Sequence, residues 1–328
     1  MLAFHSDETD VSLPPGSRFP AGRFRLLREA VARELAEVRL RPAQAATRQV
    51  LCGAHDAAYV DAVLDGRLSP AQQREIGFTQ TPQTVLRARR SVGATLMATQ
   101  AALREGVAAN LAGGSHHAGA EAGAGYCVFN DVAVATRWFQ RQAGGLPAVA
   151  VIDLDVHQGN GTAAIFRGDA SVFTLSLHGQ RNYPFRKEPG SLDVELPDGC
   201  GNAEYLQALD GALAELWQRT AARPPRLVFF LAGADPHEAD RLGRLRLTAA
   251  GLAERDRRVL TAVRERRIPL VLTMAGGYGE DLSRMVALQV ETVRQALGSW
   301  QAWQAGALAG PLMYAGVSLG GATEGEPG

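Results

Sequence analysis

Short apolar runs recur along this chain between longer stretches in which apolar residues fall every three or four positions. The segments LPAVAVIDLD (146–155), ASVFTLSLH (170–178), RLVFFLAGAD (226–235) and IPLVLTMAGG (268–277) are brief, rich in β-branched or aromatic residues, and apolar at consecutive positions. A strand wetted on one face alternates, whereas a strand covered on both faces does not. These four therefore read as central strands of a mostly parallel sheet. The helical period runs through residues 22–38, 84–106, 205–220 and 247–267. Strands alternating with helices predict a single α/β domain, a central mostly parallel sheet with helices on both faces. No repeat or linker divides it, so one domain is expected over 1–317. SLGGATEGEPG (318–328) is small, polar and Gly-rich and reads as a loose, flexible tail. Residues 178–202 carry turn residues around a short LDVEL strand and read as a surface excursion near the site.

Composition narrows the setting. Hydrophobic residues make up 46% of the 328 and charged residues 21%, as in soluble globular proteins. The 34 basic and 34 acidic residues cancel, so nothing steers the chain to nucleic acid or to an anionic membrane. Lys187 is the single lysine, which we attribute to coding bias. Cys52, Cys127 and Cys200 form neither a disulfide framework nor a CxxC zinc site, which fits a reducing cytoplasm. The opening MLAFHSDETD lacks a basic start followed by an apolar stretch and does not read as a secretory signal. No apolar stretch reaches the roughly 18–20 residues that cross a bilayer.

Ligands of open parallel sheets bind beyond the carboxyl ends of the strands. Four runs stop there on chemically competent residues: VAANLAGG before Ser115, His116 and His117; AVAVID before Asp155 and His157; LVFFLAGA before Asp235; and PLVLTMAGG before Tyr278. In VIDLDVHQGNGT, Asp153, Asp155 and His157 fall at every second position, which places them on one face of an extended chain. Two buried carboxylates and an imidazole are costly unless a cation pairs them. Asp155, His157 and Asp235 supply two carboxylates and one imidazole, leaving an open position as catalytic zinc sites do. Iron(II), cobalt or manganese would also suit such oxygen-rich ligands. Asp153, further back, is expected to orient one histidine of the 116/117 pair, and Asn160 the other.

With GGSHHAGAEAGAGYCVFNDVAVA, VIDLDVHQGNGTAAIF, AGADPHEADRLGRLRLT and MAGGYG in view, the chain resembles the histone deacetylase family, most closely its short class-IV-like branch, from about residue 5 to about residue 300. The resemblance implies the arginase/deacetylase fold and zinc-dependent hydrolysis of acyl-lysine amides. It assigns Asp155, His157 and Asp235 to zinc, and His117 as general base and then acid. It makes His116 an electrostatic partner, Tyr278 the donor to the scissile carbonyl, and Asp153 and Asn160 the residues behind the histidines. It implies a structural potassium at Asp153, Asp155, His157, Ser176 and Leu177, and an acyl-lysine channel walled by Tyr126, Gly125 and Leu242. Many members carry aspartate where this chain has Asn160. The neutral amide should leave His117 more easily deprotonated.

Three rival readings stand beside this one. A two-manganese ureohydrolase on the same fold would need further carboxylates at the strand ends, and a non-catalytic acyl-lysine reader would lack part of the constellation. Acetylated polyamines or other small amides are the serious alternative substrates. The N-terminal segment looks too short for the long inserted loop with which the family's polyamine enzymes restrict access.

Overall fold

The computed structural model describes residues 1–7 and 13–307, so the expected tail at 318–328 and the end of the expected domain lie outside the described residues. In those residues eight strands form one sheet: β1 (Leu2–His5), β2 (Arg39–Pro42), β3 (Val107–Asn110), β4 (Val149–Asp153), β5 (Val172–Gly179), β6 (Leu192–Leu196), β7 (Leu227–Leu231) and β8 (Leu270–Thr273). Their order is β2-β1-β3-β8-β7-β4-β5-β6, and every neighbouring pair is parallel. The described helices are α1 (Arg23–Glu34), α2 (Arg48–Leu51), α3 (Ala57–Leu64), α4 (Pro70–Ile76), α5 (Pro82–Glu105), α6 (Asp131–Gln142), α7 (Asn160–Ile165), α8 (Asn202–Arg219), α9 (Ala249–Glu265) and α10 (Leu282–Ala307).

The unbroken apolar runs follow from a sheet covered twice. In β7, Leu227, Phe229 and Leu231 join the core under α5 and α6, while Val228 and Phe230 join the core under α8 and α9. Both faces are dry, so both parities of the strand are hydrophobic. The long helices begin where local chemistry allows. Thr81 Oγ1 accepts from Thr84 N at 3.1 Å with Pro82 in the first turn of α5, and Thr248 Oγ1 accepts from Gly251 N at 3.2 Å at the start of α9.

Two differences from the sequence reading have physical causes. Strands β1 and β2 escaped notice because LAFH and RLRP hold four residues each, and β2 is a largely exposed edge. Three of the four central runs, those of β4, β7 and β8, also end sooner than their composition suggests. β4 stops at Asp153, although Leu154 and Val156 beyond it are fully buried. Asp155 and His157 therefore sit in a bend after the strand, not on one face of a continuing extended chain. The strands that carry chemistry, β3, β8, β7 and β4, are four consecutive neighbours in the middle of the sheet.

Candidate active site

Beyond Asp153 the chain folds back so that Asp155 Oδ1 accepts from its own neighbour, His157 N, at 2.9 Å and faces His157 Nδ1 at 2.9 Å. β7 lies directly beside β4, and the turn after it brings Asp235 into the same space: Oδ1 accepts from Val156 N at 3.0 Å. Asp155, His157 and Asp235 are all buried, and one ligand atom from each lies within 4.8 Å of the others. Asp235 Oδ2 stands 3.3 Å from His157 Nδ1 and has no hydrogen-bond partner. A fully buried carboxylate oxygen left this way is expensive unless a cation takes it. Gly276 completes the cradle. Its N–H donates to Asp155 Oδ2 at 2.6 Å, and a Cβ there would run into the Asp235 carboxylate. The donor set of two carboxylates and an imidazole thus fits a divalent cation.

The charges agree. Burial raises Asp235, the adjacent Asp155 raises it further, and His157 only partly offsets this, leaving it at about 7. Burial opposes an imidazolium at His157, but Asp155 and Asp235 outweigh it and lift the group to about 10. Asp155 is held below the carboxylate range: burial works upward, and the His116 and His157 charges overcome it. The cluster is arranged to hold positive charge.

The loop after β3 carries the histidine pair above this cluster. His116 Nδ1 donates to Asp153 Oδ2 at 2.6 Å, and His117 Nδ1 donates to Asn160 Oδ1 at 2.7 Å. The two rings lie 4.1 Å apart, yet their environments diverge. Burial disfavours charge on both. For His116 the Asp153 and Asp155 carboxylates more than compensate, raising it to about 9. For His117 burial and the charges of His116 and His157 act together and drive it well below 6.5. Adjacent imidazoles with separated pKa values can divide acid and base roles. With Nδ1 bonded to Asn160, neutral His117 keeps an unprotonated Nε2.

Asp131, at the first position of α6, was not singled out in the sequence. It accepts from Ser115 N at 2.8 Å, Gly114 N at 3.2 Å and Thr95 Oγ1 at 2.6 Å, fastening the loop that leads to the histidines. The segment after β8 is pinned likewise. Tyr278 N donates to Asp240 Oδ2 at 2.5 Å, Arg241 Nε donates to Tyr278 O at 2.8 Å, and buried Arg23 reaches the carbonyls of Gly277 at 2.7 Å and Ala275 at 3.0 Å. Burial and Asp155 push the Tyr278 phenol well above 10, so it stays a neutral donor. Its ring lies 6.1 Å from that of His157 and 5.9 Å from that of Tyr126.

A cavity opens onto these groups, lined in part by His116, His117, Gly125, Tyr126, Asp155 and Tyr278. Gly125 has φ +53°, and a Cβ there would stand 2.6 Å from His117 Cδ2 and 3.2 Å from Tyr183 Cε1. Leu242 is partly buried, its carbonyl accepting from Asn182 Nδ2 at 2.7 Å, and it is not part of this lining. Tyr183 was also missed by the sequence reading, although it packs edge-on to His117 with centroids 4.8 Å apart and planes at 88°. Its signal lay in the turn-rich 178–202 excursion, which returns as β6 parallel to β5. On the other side of the ligand cluster, the β4–β5 register sets Asp153 opposite Ser176, with Leu177 buried next to it. The Ser176 hydroxyl pairs with His178 Nδ1 at 2.9 Å.

Comparison with known proteins places this geometry among relatives. The family model for the histone deacetylase domain matches residues 17–293. The chain is 38% identical over 287 residues to an uncharacterized protein of Picosynechococcus sp., covering 87% of this chain and 94% of that protein. It is 37% identical over 214 residues to histone deacetylase 2 of Arabidopsis thaliana, covering 64% of this chain and about half, 54%, of the plant protein. Two solved structures share the fold: the HD domain of HDA15, with TM-score 0.71 and 23% identity over 92% of this chain and 93% of that one, and an acetylpolyamine aminohydrolase from Burkholderia pseudomallei, with TM-score 0.72 and 20% identity over 92% and 99%.

Proposed function

We infer the activity from one premise: this chain belongs to the histone deacetylase family and is a hydrolase. We propose that it cleaves the amide of acyl-lysine side chains to a carboxylate and a free amine, with zinc held by Asp155, His157 and Asp235. The observation that carries this reading is the buried Asp235 Oδ2, left without a hydrogen bond beside two further ligand atoms and beneath a divided histidine pair. A bound divalent ion would acidify a water and polarise the scissile carbonyl. Iron(II), cobalt or manganese could take the same place.

The protein's own groups supply the rest. His117 Nε2 takes the proton from the attacking water and returns it to the leaving amine. His116 stays protonated against Asp153 and contributes a fixed positive charge. The Tyr278 hydroxyl donates to the oxygen on which charge develops. Gly125 and Tyr126 line an apolar wall that suits an acylated lysine, whose stem is apolar and whose charge has been removed, and Tyr183 packs edge-on against His117 behind Gly125. The potassium site is part of the same proposal. Oxygen donors from Asp153, Asp155, His157, Ser176 and Leu177 suit a hard cation bracing β4 against β5.

Among the described residues no helix is long and apolar enough to cross a membrane. The three cysteines are free, in keeping with a reducing compartment. The test is amine release by the zinc-loaded protein from acetyl-, propionyl-, lactoyl- and long-chain acyl-lysine peptides, with acetylated polyamines as the second arm. Release from peptides that disappears in Asp235→Asn supports the proposal. Release from polyamines alone would move it to small amides, and no release from any of them would overturn it.

A further inference from the structure

The single lysine of the chain lies beside the site. After β5 the chain runs through an exposed turn and returns as β6. Lys187 Nζ donates to the carbonyls of Asn182 and Pro184, both at 2.7 Å. Those carbonyls bracket Tyr183, the residue that packs edge-on to His117 and approaches Gly125. Farther along, Glu188 is tied separately: its N–H donates to Gln158 Oε1 and its carbonyl accepts from Gln158 Nε2, each at 2.8 Å. Phe185 is 86% exposed, its ring edge-on to that of Tyr183 at 6.4 Å within the same turn. Asn182 is also held by its side chain, which donates to Leu242 O at 2.7 Å and accepts from Arg244 N at 3.2 Å, so the ammonium is the tie that joins Pro184, and the backbone on either side of Tyr183, to that anchor.

We propose that Lys187 is a modification site controlling the setting of Tyr183: acylation of its amine by an acyl thioester unties Pro184 from the anchored Asn182, loosens Tyr183 against His117 and lowers turnover. In the reaction the neutral amine attacks the thioester carbonyl. A C–N bond forms, the C–S bond breaks, and the thiol leaves carrying a proton. The product amide has one N–H and no charge, so it cannot hold both carbonyls as the ammonium does. Burial lowers the Lys187 amine below the ordinary lysine value, which enlarges the nucleophilic fraction. The N-terminal amine is the one other amine that competes, because the remaining 33 basic side chains are arginines. The inference rests on the proposed hydrolase reading for its activity readout alone.

The test treats the folded, metal-loaded protein with acetyl-coenzyme A and maps the acetyl groups. Lys187 should be acetylated, kcat should fall about tenfold, and trypsin should cut faster after the exposed Arg181 and Arg186. Lys187→Met should show the same loss of kcat and the same faster cleavage. Lys187→Arg keeps charge and donors; it should restore most of what methionine loses and should not respond to acetyl-coenzyme A. Comparison with Lys187→Arg also removes any effect of N-terminal acetylation. Lys187 remaining unmodified while the N-terminal amine of a lysine-free peptide in the same tube is acetylated would overturn the proposal. So would an acetylated protein with unchanged kcat and unchanged cleavage. If the wild type cleaves no acylated amine, the hydrolase reading fails on its own, and the tryptic comparison still decides this one.

Discussion

Replacing Arg255 by methionine probes the support beneath the ligand cluster. Arg255 is 1% exposed and was invisible to sequence reasoning. Its Nη1 donates to the carbonyls of Leu154 at 3.2 Å and Gly233 at 2.6 Å, while Nε and Nη2 bond Asp256 Oδ1 at 2.8 and 2.7 Å. Leu154 lies between Asp153 and Asp155, and Gly233 lies two residues before Asp235, so one guanidinium ties both ligand-bearing turns. Arg255→Met strands a buried carboxylate that keeps Thr292 as a hydrogen-bond partner. Breaking one partner out of a buried pair costs about 3–5 kcal/mol. At about 2–4 °C per kcal/mol, Tm should drop by about 6–20 °C. Arg255→Met combined with Asp256→Leu removes the stranded charge and should recover most of that loss. It cannot restore the two carbonyl contacts, so zinc affinity should stay about tenfold or more below wild type. Scanning calorimetry and competition against a chelator read the two quantities separately. A double variant with wild-type zinc affinity would refute the claim that Arg255 positions the ligands, as would a single variant melting within about 2 °C of wild type.

Other outcomes follow from the same geometry. Tyr278→Phe keeps the ring packing and the pinned backbone but loses the donor; kcat should fall about 10²–10³-fold with metal content unchanged, read by steady-state kinetics and elemental analysis. In Asn160→Asp a carboxylate would favour the charged form of His117, whose pKa is now driven well below 6.5. That pKa should rise, and the acidic limb of the kcat/KM profile should move to higher pH, activity being lost as pH falls through it. Gly276→Ala should abolish metal retention on desalting, because its Cβ enters the space of Asp235 and Asp155.

The parts legible in the sequence were those that obey a local rule. A strand covered on both faces must be continuously apolar, so β4, β5, β7 and β8 stood out, and the polar residues beyond the carboxyl ends of β3, β4, β7 and β8 marked the site. The short β1 and the exposed edge β2 broke that rule and went unseen. Asp153, Asp155 and His157 were singled out for a geometry that holds only through Asp153. The latter two are gathered by a bend whose buried Leu154 and Val156 look, in composition, like more strand. Asp235 joins them because β7 pairs with β4, a neighbour relation that chain order does not state. Arg23, Asp131, Tyr183 and Arg255 each act through a contact across 16 to 254 residues of sequence, and no local pattern announces such contacts.

The most direct test of the account is zinc titration of chelator-stripped protein, followed by calorimetry and elemental analysis, for the wild type and for Asp155→Asn, His157→Ala and Asp235→Asn. The account predicts one tightly held ion per wild-type chain and severe weakening in each variant, the fold being retained. Wild-type protein that binds no divalent ion, or variants that bind it as tightly as wild type, would contradict it.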